Sequence, residues 1–374
     1  MREIGVKEID WIAEGAAVLG AGGGGSTYQG ALALKRLLRG GARVRVLGAA
    51  EVADEALGPV ISGMGAPTVG IERVAAAGRY GMLMDAVRAT LGRPVDFVAI
   101  GEIGGGNAIT PLVAGAESGL PVVDADPMGR AFPELQMDTY SIGGIPPAPL
   151  ILHDGKGVVA SLTGVPDPFT AERYARALTW AMGGSAGLAM AVVTGAQIRE
   201  LGIAGTLGLC EKLGRAMDEA RRHKRETIEA ILDVVPAARH LFDGKIVDVV
   251  RRTVAGFARG TITLAGLGTS SGERLEVEFQ NEYLIATRHG GGGAMAVALT
   301  VPDLLVLVEQ ETGRALGSEA VRYGLRVHVL GLPAPHELKT VRALAVLGPQ
   351  AFGYDTPFRP MPGDLLGRPA PVAP

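Results

Sequence analysis

A single cysteine, Cys210, stands among 374 residues, so neither an intrachain disulfide nor a multi-thiolate metal site can form within one chain. The opening Met-Arg-Glu-Ile-Gly-Val-Lys-Glu has no apolar signal core, and the apolar stretch Leu188 to Val193 is far too short to span a bilayer. Both point to a cytoplasmic protein with no membrane partner. Excess charge is missing too: 36 Lys and Arg against 39 Asp and Glu leave a net −3, which argues against a nucleic-acid partner. The basic cluster Arg221 to Arg225 shares its helix with Asp218, Glu219 and Glu226 and reads as a solvated face. The six histidines (153, 223, 240, 289, 328 and 336) show no His-x-x-x-His or His-Glu-x-x-His spacing, so any zinc site must be assembled from distant residues. There is no Gly-x-Ser-x-Gly elbow, which disfavours a serine hydrolase of that type. Cys210 lies among Leu207, Leu209 and Leu213 and reads as core.

Glycine is abundant instead, with 56 residues clustered in patches at 20–25, 104–106, 143–144, 183–187 and 290–293. The first patch organises the chain: Leu19 to Thr27 reads Leu-Gly-Ala-Gly-Gly-Gly-Gly-Ser-Thr between two amphipathic runs of helical spacing. Glycines there bare the backbone N–H groups and tolerate positive φ, so Gly22, Gly23, Gly24, Gly25 and Ser26 can cradle an anion or a polarised oxygen. A plain helix–helix turn is the simpler alternative. The loop lacks the lysine of a P-loop and follows a helix rather than a strand, so neither a P-loop nor a dinucleotide fold fits.

Short apolar strands then alternate with helices: strands at 42–47, 59–64, 96–100 and 121–123, helices at 80–91 and 108–118. The strand at 59–64 runs out through Gly63-Met64-Gly65-Ala66-Pro67. This predicts an α/β N-terminal domain over 1–165 with a mainly parallel sheet, whose ligands sit beyond the carboxyl ends of the strands. A hairpin around Asp154-Gly155 and a helix capped by Asp167 close that half. Residues 166–360 read as an α+β, strand-rich C-terminal domain, and 361–374 as an irregular tail.

Polar residues gather at the strand ends. Asp124 and Asp126, two apart, point to one side of a strand; they could ligate a divalent metal or supply a general base, or simply cap the turn before Pro127. Glu102, Gly104, Gly105, Gly106 and Asn107 combine a carboxylate, N–H donors and an amide, although Asn107 could serve only as a helix cap. In the second half, Asn281 and Glu282 sit between two strands and either reach across a cleft or make the turn.

Taken together, Leu19–Gly25, Glu102–Asn107, Asp124–Met137, Phe279–Glu282, Val301–Leu304 and Gly348–Asp355 resemble, in order and along nearly the whole chain, the S-methyl thiohydantoin desulfurase family, whose relatives are associated with hydantoinases and oxoprolinases. The resemblance implies hydrolytic loss of methanethiol from an S-methylated thiohydantoin, leaving a hydantoin. For that chemistry Asp126, Glu102 or Asp124 would activate water, or Asp124 and Asp126 would hold a divalent metal that does. The glycine N–H groups, Asn107 and Asn281, with Glu282 beside them, would bind the ring, and Arg130 would meet a carboxylate tail. Hydrolysis of another cyclic amide, a partner-subunit role, or simple binding of a small ring stay open. A homo-oligomer is the general expectation for a soluble enzyme.

Overall fold

The structure, a computed structural model, describes residues 1–65, 69, 72, 76–254 and 256–369; Ala66-Pro67 of the strand-tip motif and residues 370–374 of the tail lie outside the described residues. In chain order the regular elements are β1 Arg2–Glu3, α1 Val6–Leu19, α2 Tyr28–Arg39, β2 Arg45–Gly48, β3 Leu57–Gly65, α3 Arg79–Leu91, β4 Val98–Ile100, α4 Thr110–Ser118, β5 Val122–Asp126, α5 Thr139–Ile142, β6 Leu150–His153 and β7 Val159–Leu162. There follow α6 Pro168–Ala181, β8 Ser185–Thr194, α7 Gly195–Leu201, β9 Ile203–Ala204, α8 Thr206–Arg222 and α9 Thr227–Val234. The remainder is β10 Arg239–Val254, β11 Phe257–Gly266, β12 Arg274–Gln280, β13 Glu282–His289, β14 Met295–Thr300, β15 Leu304–Glu309, β16 Arg326–Leu332 and α10 Val341–Leu347.

Two sheets result. The first runs β1-β2-β5-β4-β3-β8-β6-β7, with β9 paired on β5. Its β2–β5, β5–β4 and β4–β3 pairs are parallel, so the carboxyl ends of β3, β4 and β5 emerge side by side. The alternation of side chains explains burial on both faces: Ile61, Ile100 and Val122 join one core, while Val60, Ala99 and Val123 join another. The second sheet is antiparallel, ordered β14-β13-β12-β11-β10-β16-β15 and curved as a half-barrel. Leu275, Val277 and Phe279 line its inner face.

The first sheet reaches past residue 165. β8, which carries the apolar run Leu188–Val193, pairs with β3 from Leu57↔Thr194 to Gly65↔Ser185. A short continuous apolar run has no period that marks it as a strand, so it does not show in the sequence. Asp167 does cap α6, accepting from the Thr170 N–H at 2.8 Å. Within the tail, Asp364 is buried and paired with Arg368.

The helix α8 crosses α1 with backbones nearly touching. A Cβ on Gly15 would lie 1.9 Å from the Cys210 carbonyl oxygen, and one on Gly214 would lie 1.8 Å from that of Trp11. Cys210 is thus core, as its leucine neighbours predict. The same core takes Ile9 and Ile12 of α1, Leu209 of α8, and Leu304, Val306, Leu330 and Leu332 of the second sheet. Gly214→Ala must therefore separate the two helices, and chemical denaturation should show a loss of about 3 kcal/mol or more. Gly291→Ala, with nothing within 4 Å of its Cβ, should stay within about 0.5 kcal/mol of the parent.

Candidate functional site

The carboxyl ends of β3 and β4 frame one mouth. Beyond β4 comes Glu102, buried, and then the turn Gly105–Ala108 that carries Asn107. Asn107 accepts from the Gly63 N–H at 3.0 Å through Oδ1, and its side chain also hydrogen-bonds Glu102. It bridges two strand tips rather than capping α4, which has no side-chain cap.

The loop after α1 closes onto this turn with no room for side chains. A Cβ on Gly24 would lie 2.2 Å from the Gly104 carbonyl oxygen and 2.8 Å from Glu102 Oε1; one on Gly105 would lie 2.5 Å from the Gly25 carbonyl oxygen. The Gly106 N–H donates to that same oxygen at 2.9 Å. Gly24 has φ +74°, a conformation that glycine adopts without strain. Above Gly25 a Cβ would meet nothing within 4 Å, so the mouth opens there.

The second sheet supplies the far wall. Its β12–β13 hairpin turns at Asn281 (φ +58°), whose Oδ1 accepts from the Ala258 N–H at 2.9 Å. Glu282 follows, buried, with Oε1 placed 2.0 Å from where a Gly23 Cβ would stand. Tyr283 comes next; its N–H donates to the Ala21 carbonyl at 2.7 Å and its ring lies against Gly22. Arg130, fully buried, donates from Nε to the Ala131 carbonyl at 3.0 Å, from Nη1 to the Asp303 and Pro302 carbonyls at 3.0 and 3.3 Å, and from Nη2 to the Tyr283 carbonyl at 3.0 Å.

Burial dominates the electrostatics. It raises Glu282 to about 8, against the opposing pull of the Arg130 guanidinium and the Gly24 N–H. Glu102 is raised well above the usual carboxylate range, first by burial and then by the like charge of Glu282. Two acids that resist ionisation thus stand beside the same glycine loop. Arg130 is lowered by burial to about 10, with Glu282, Asp303 and Glu102 favouring its charge.

Residues 7–164 match the family model described as S-Me-THD-like, N-terminal domain, and residues 166–361 match the S-Me-THD-like, C-terminal domain. The chain belongs to the S-Me-THD-like family. A protein from Chromobacterium violaceum, solved by X-ray crystallography, is similar at 25% identity and a TM-score of 0.79, over 96% of this chain and 100% of that one. No curated protein matches. No described helix of this S-Me-THD-like protein is long and apolar enough to cross a membrane.

The S-Me-THD-like fold brings together Gly22, Gly23, Gly24, Gly25, Gly104, Gly105, Gly106, Glu102, Asn107 and Glu282. The N–H groups of Gly23 and Gly106 are already spent on the carbonyls of Gly20 and Gly25. Ser26 is exposed, and its Oγ accepts from the Tyr28 N–H at 3.3 Å as α2 begins.

Asp124 stands apart. Its two oxygens accept the N–H groups of Leu207 and Gly208 at 2.8 and 3.1 Å, capping α8. Asp126 lies behind Glu102, fully buried; its Oδ2 takes N–H groups from Ile103, Met128 and Gly129, and the Thr206 hydroxyl faces it as well. The two aspartates share a face, as their spacing predicts, but both serve the backbone. Neither belongs to a metal-sized set of ligands among the described residues. Arg130, expected to meet a substrate carboxylate, spends its donors on main-chain carbonyls instead, and Asn281 shapes its hairpin.

Sequence reasoning missed Arg176 of α6, which donates to the Pro133 carbonyl at 2.9 Å, stacks 4.3 Å over Phe257 and lowers Glu282 by its charge. No motif marks it, since an arginine on an amphipathic helix reads as solvated.

A carboxyl raised to about 8 in the folded protein and near 4.5 in the unfolded chain binds more protons when folded, so it costs stability as pH rises from about 4.5 to about 8. Glu282→Gln should flatten the fall in stability across that window and leave the variant more stable than the parent at its upper end. Denaturation curves at several pH values will show it.

Proposed function

We propose that this protein is a hydrolase that removes methanethiol from an S-methylated thiohydantoin to leave a hydantoin, with Glu102 and Glu282 as its acid–base pair. The observation that supports this reading is the pair of buried, ionisation-resistant carboxyls beside a glycine-bared loop, at strand ends where open α/β sheets hold ligands. The ring carbon bearing sulfur is amidine-like and needs activation before water can attack.

A protonated carboxyl supplies it. One glutamic acid donates its proton to the ring nitrogen as water adds to the carbon, and the carboxylate so formed takes the proton that the water loses. The other gives its proton to the sulfur as the carbon–sulfur bond breaks. It is restored by the hydroxyl proton as that group becomes the new carbonyl. Substrate and water become hydantoin and methanethiol, and both acids return to their starting state. Spare loop N–H groups and the Asn107 amide orient the ring oxygens and nitrogens. Asp126 acts as a positioning residue, fixing the loops on which Glu102 stands.

Methanethiol release from an S-methylated thiohydantoin, followed with a thiol reagent, tests the reading. Glu102→Gln and Glu282→Gln should each lower turnover about 10²–10⁴-fold with the fold intact. The rate should fall as pH rises through about 8, where Glu282 loses the proton it must donate. Full activity in both variants, or ring opening of hydantoins without thiol release, would refute it.

A further inference from the structure

We propose that His240, Asp243 and His328 form a site for a divalent transition-metal ion of the zinc class, remote from the glycine-lined mouth and structural in role. Three ligand atoms, one from each residue, lie within 4.8 Å of one another. His240 Nε2 stands 2.9 Å from Asp243 Oδ1, and His328 Nδ1 points at that same oxygen. Two imidazole nitrogens and a carboxylate oxygen are the donors that zinc takes, and a tetrahedral ion needs them about 3.4 Å apart, which small side-chain rotations supply.

The backbone is bent to make this set. Residues three apart on a regular strand face opposite sides, so His240 and Asp243 should diverge. A bulge in β10 between His240 and Phe242 shifts the register: His240 pairs with Leu330, and Asp243 with His328. Leu330 and His328 are two apart on β16, so all three polar side chains emerge on one face. The far side of the His328 ring meets a carboxylate as well. Its other ring nitrogen, Nε2, faces Glu226 Oε2 at 3.8 Å, close enough for a small rotation to make the carboxylate–imidazole hydrogen bond that orients a metal-bound histidine.

The three side chains are 33%, 22% and 17% exposed, which leaves an entry path and a coordination position for water. The site lies far from the mouth. Thr253, about ten residues along β10 from Asp243 and so ~30 Å away, pairs with Ala258, which bonds Asn281. A bound ion would clamp β10 to β16 and, through Glu226, to the start of α9.

The full chain, stripped with a chelator and dialysed against zinc ions at low micromolar free concentration, should take up one ion per chain by elemental emission. Its melting temperature should rise. Cobalt in place of zinc should give the visible absorption of a tetrahedral site with nitrogen and oxygen ligands. His240→Gln and His328→Gln should each weaken uptake about a hundredfold or more and abolish the rise in melting temperature, while keeping the parent's circular dichroism. No uptake by the parent chain would overturn the proposal, a result that does not depend on any variant folding. Uptake undiminished in both variants would place the ion elsewhere and overturn it equally.

Discussion

The buried guanidinium of Arg130 is the constraint on which the arrangement rests. It leaves the first sheet on the loop after β5 and gives its hydrogens to carbonyls at Ala131, Tyr283, Pro302 and Asp303, three of them in the second half of the chain. A charge so deeply buried is costly unless its donors are matched, so the geometry of those carbonyls is closely specified. One of them belongs to Tyr283, the neighbour of Glu282. The position of the second acid is therefore set by an arginine that is itself committed to the main chain.

Asp126 does for the near wall what Arg130 does for the far one. Its single Oδ2 gathers three N–H groups from the loops that follow β4 and β5, and Glu102 stands directly before one of them. The glycines complete the scaffold by letting backbones meet. Gly104 lies so close to Ala131 that a Cβ would fall 2.7 Å from that residue's own, and Gly20 approaches the Gly105 nitrogen in the same way. Four glycines in a row thus describe two interlocked loops more than a slack hinge. Their N–H groups are partly consumed in the interlocking.

Much of this was legible in the sequence where the signal is local. The loop after α1, the strand-tip glutamate with its glycines, and the polar hairpin at Glu282 all stand out as unusual short stretches. The roles of the aspartates were harder to read, because a carboxylate that caps backbone N–H groups and one that faces solvent have the same spacing. The main-chain contacts of Arg130 could not be read, because three of its four carbonyl partners lie more than 150 residues away and main-chain atoms carry no sequence signal. The convergence of His240 with His328 depends on a bulge, and a single extra residue in a strand leaves no trace in composition or period.

The core shared by α1, α8 and the β15–β16 pair of the second sheet has a bearing on how the site can move. With leucines and isoleucines from both halves interleaved in one body, the two walls of the mouth have no seam along which to part. Glu102 on one wall and Glu282 on the other are then held at a fixed spacing. Whatever enters between these walls meets a rigid frame instead of a closing clamp, so fit would be decided by shape before any contact could adjust to it.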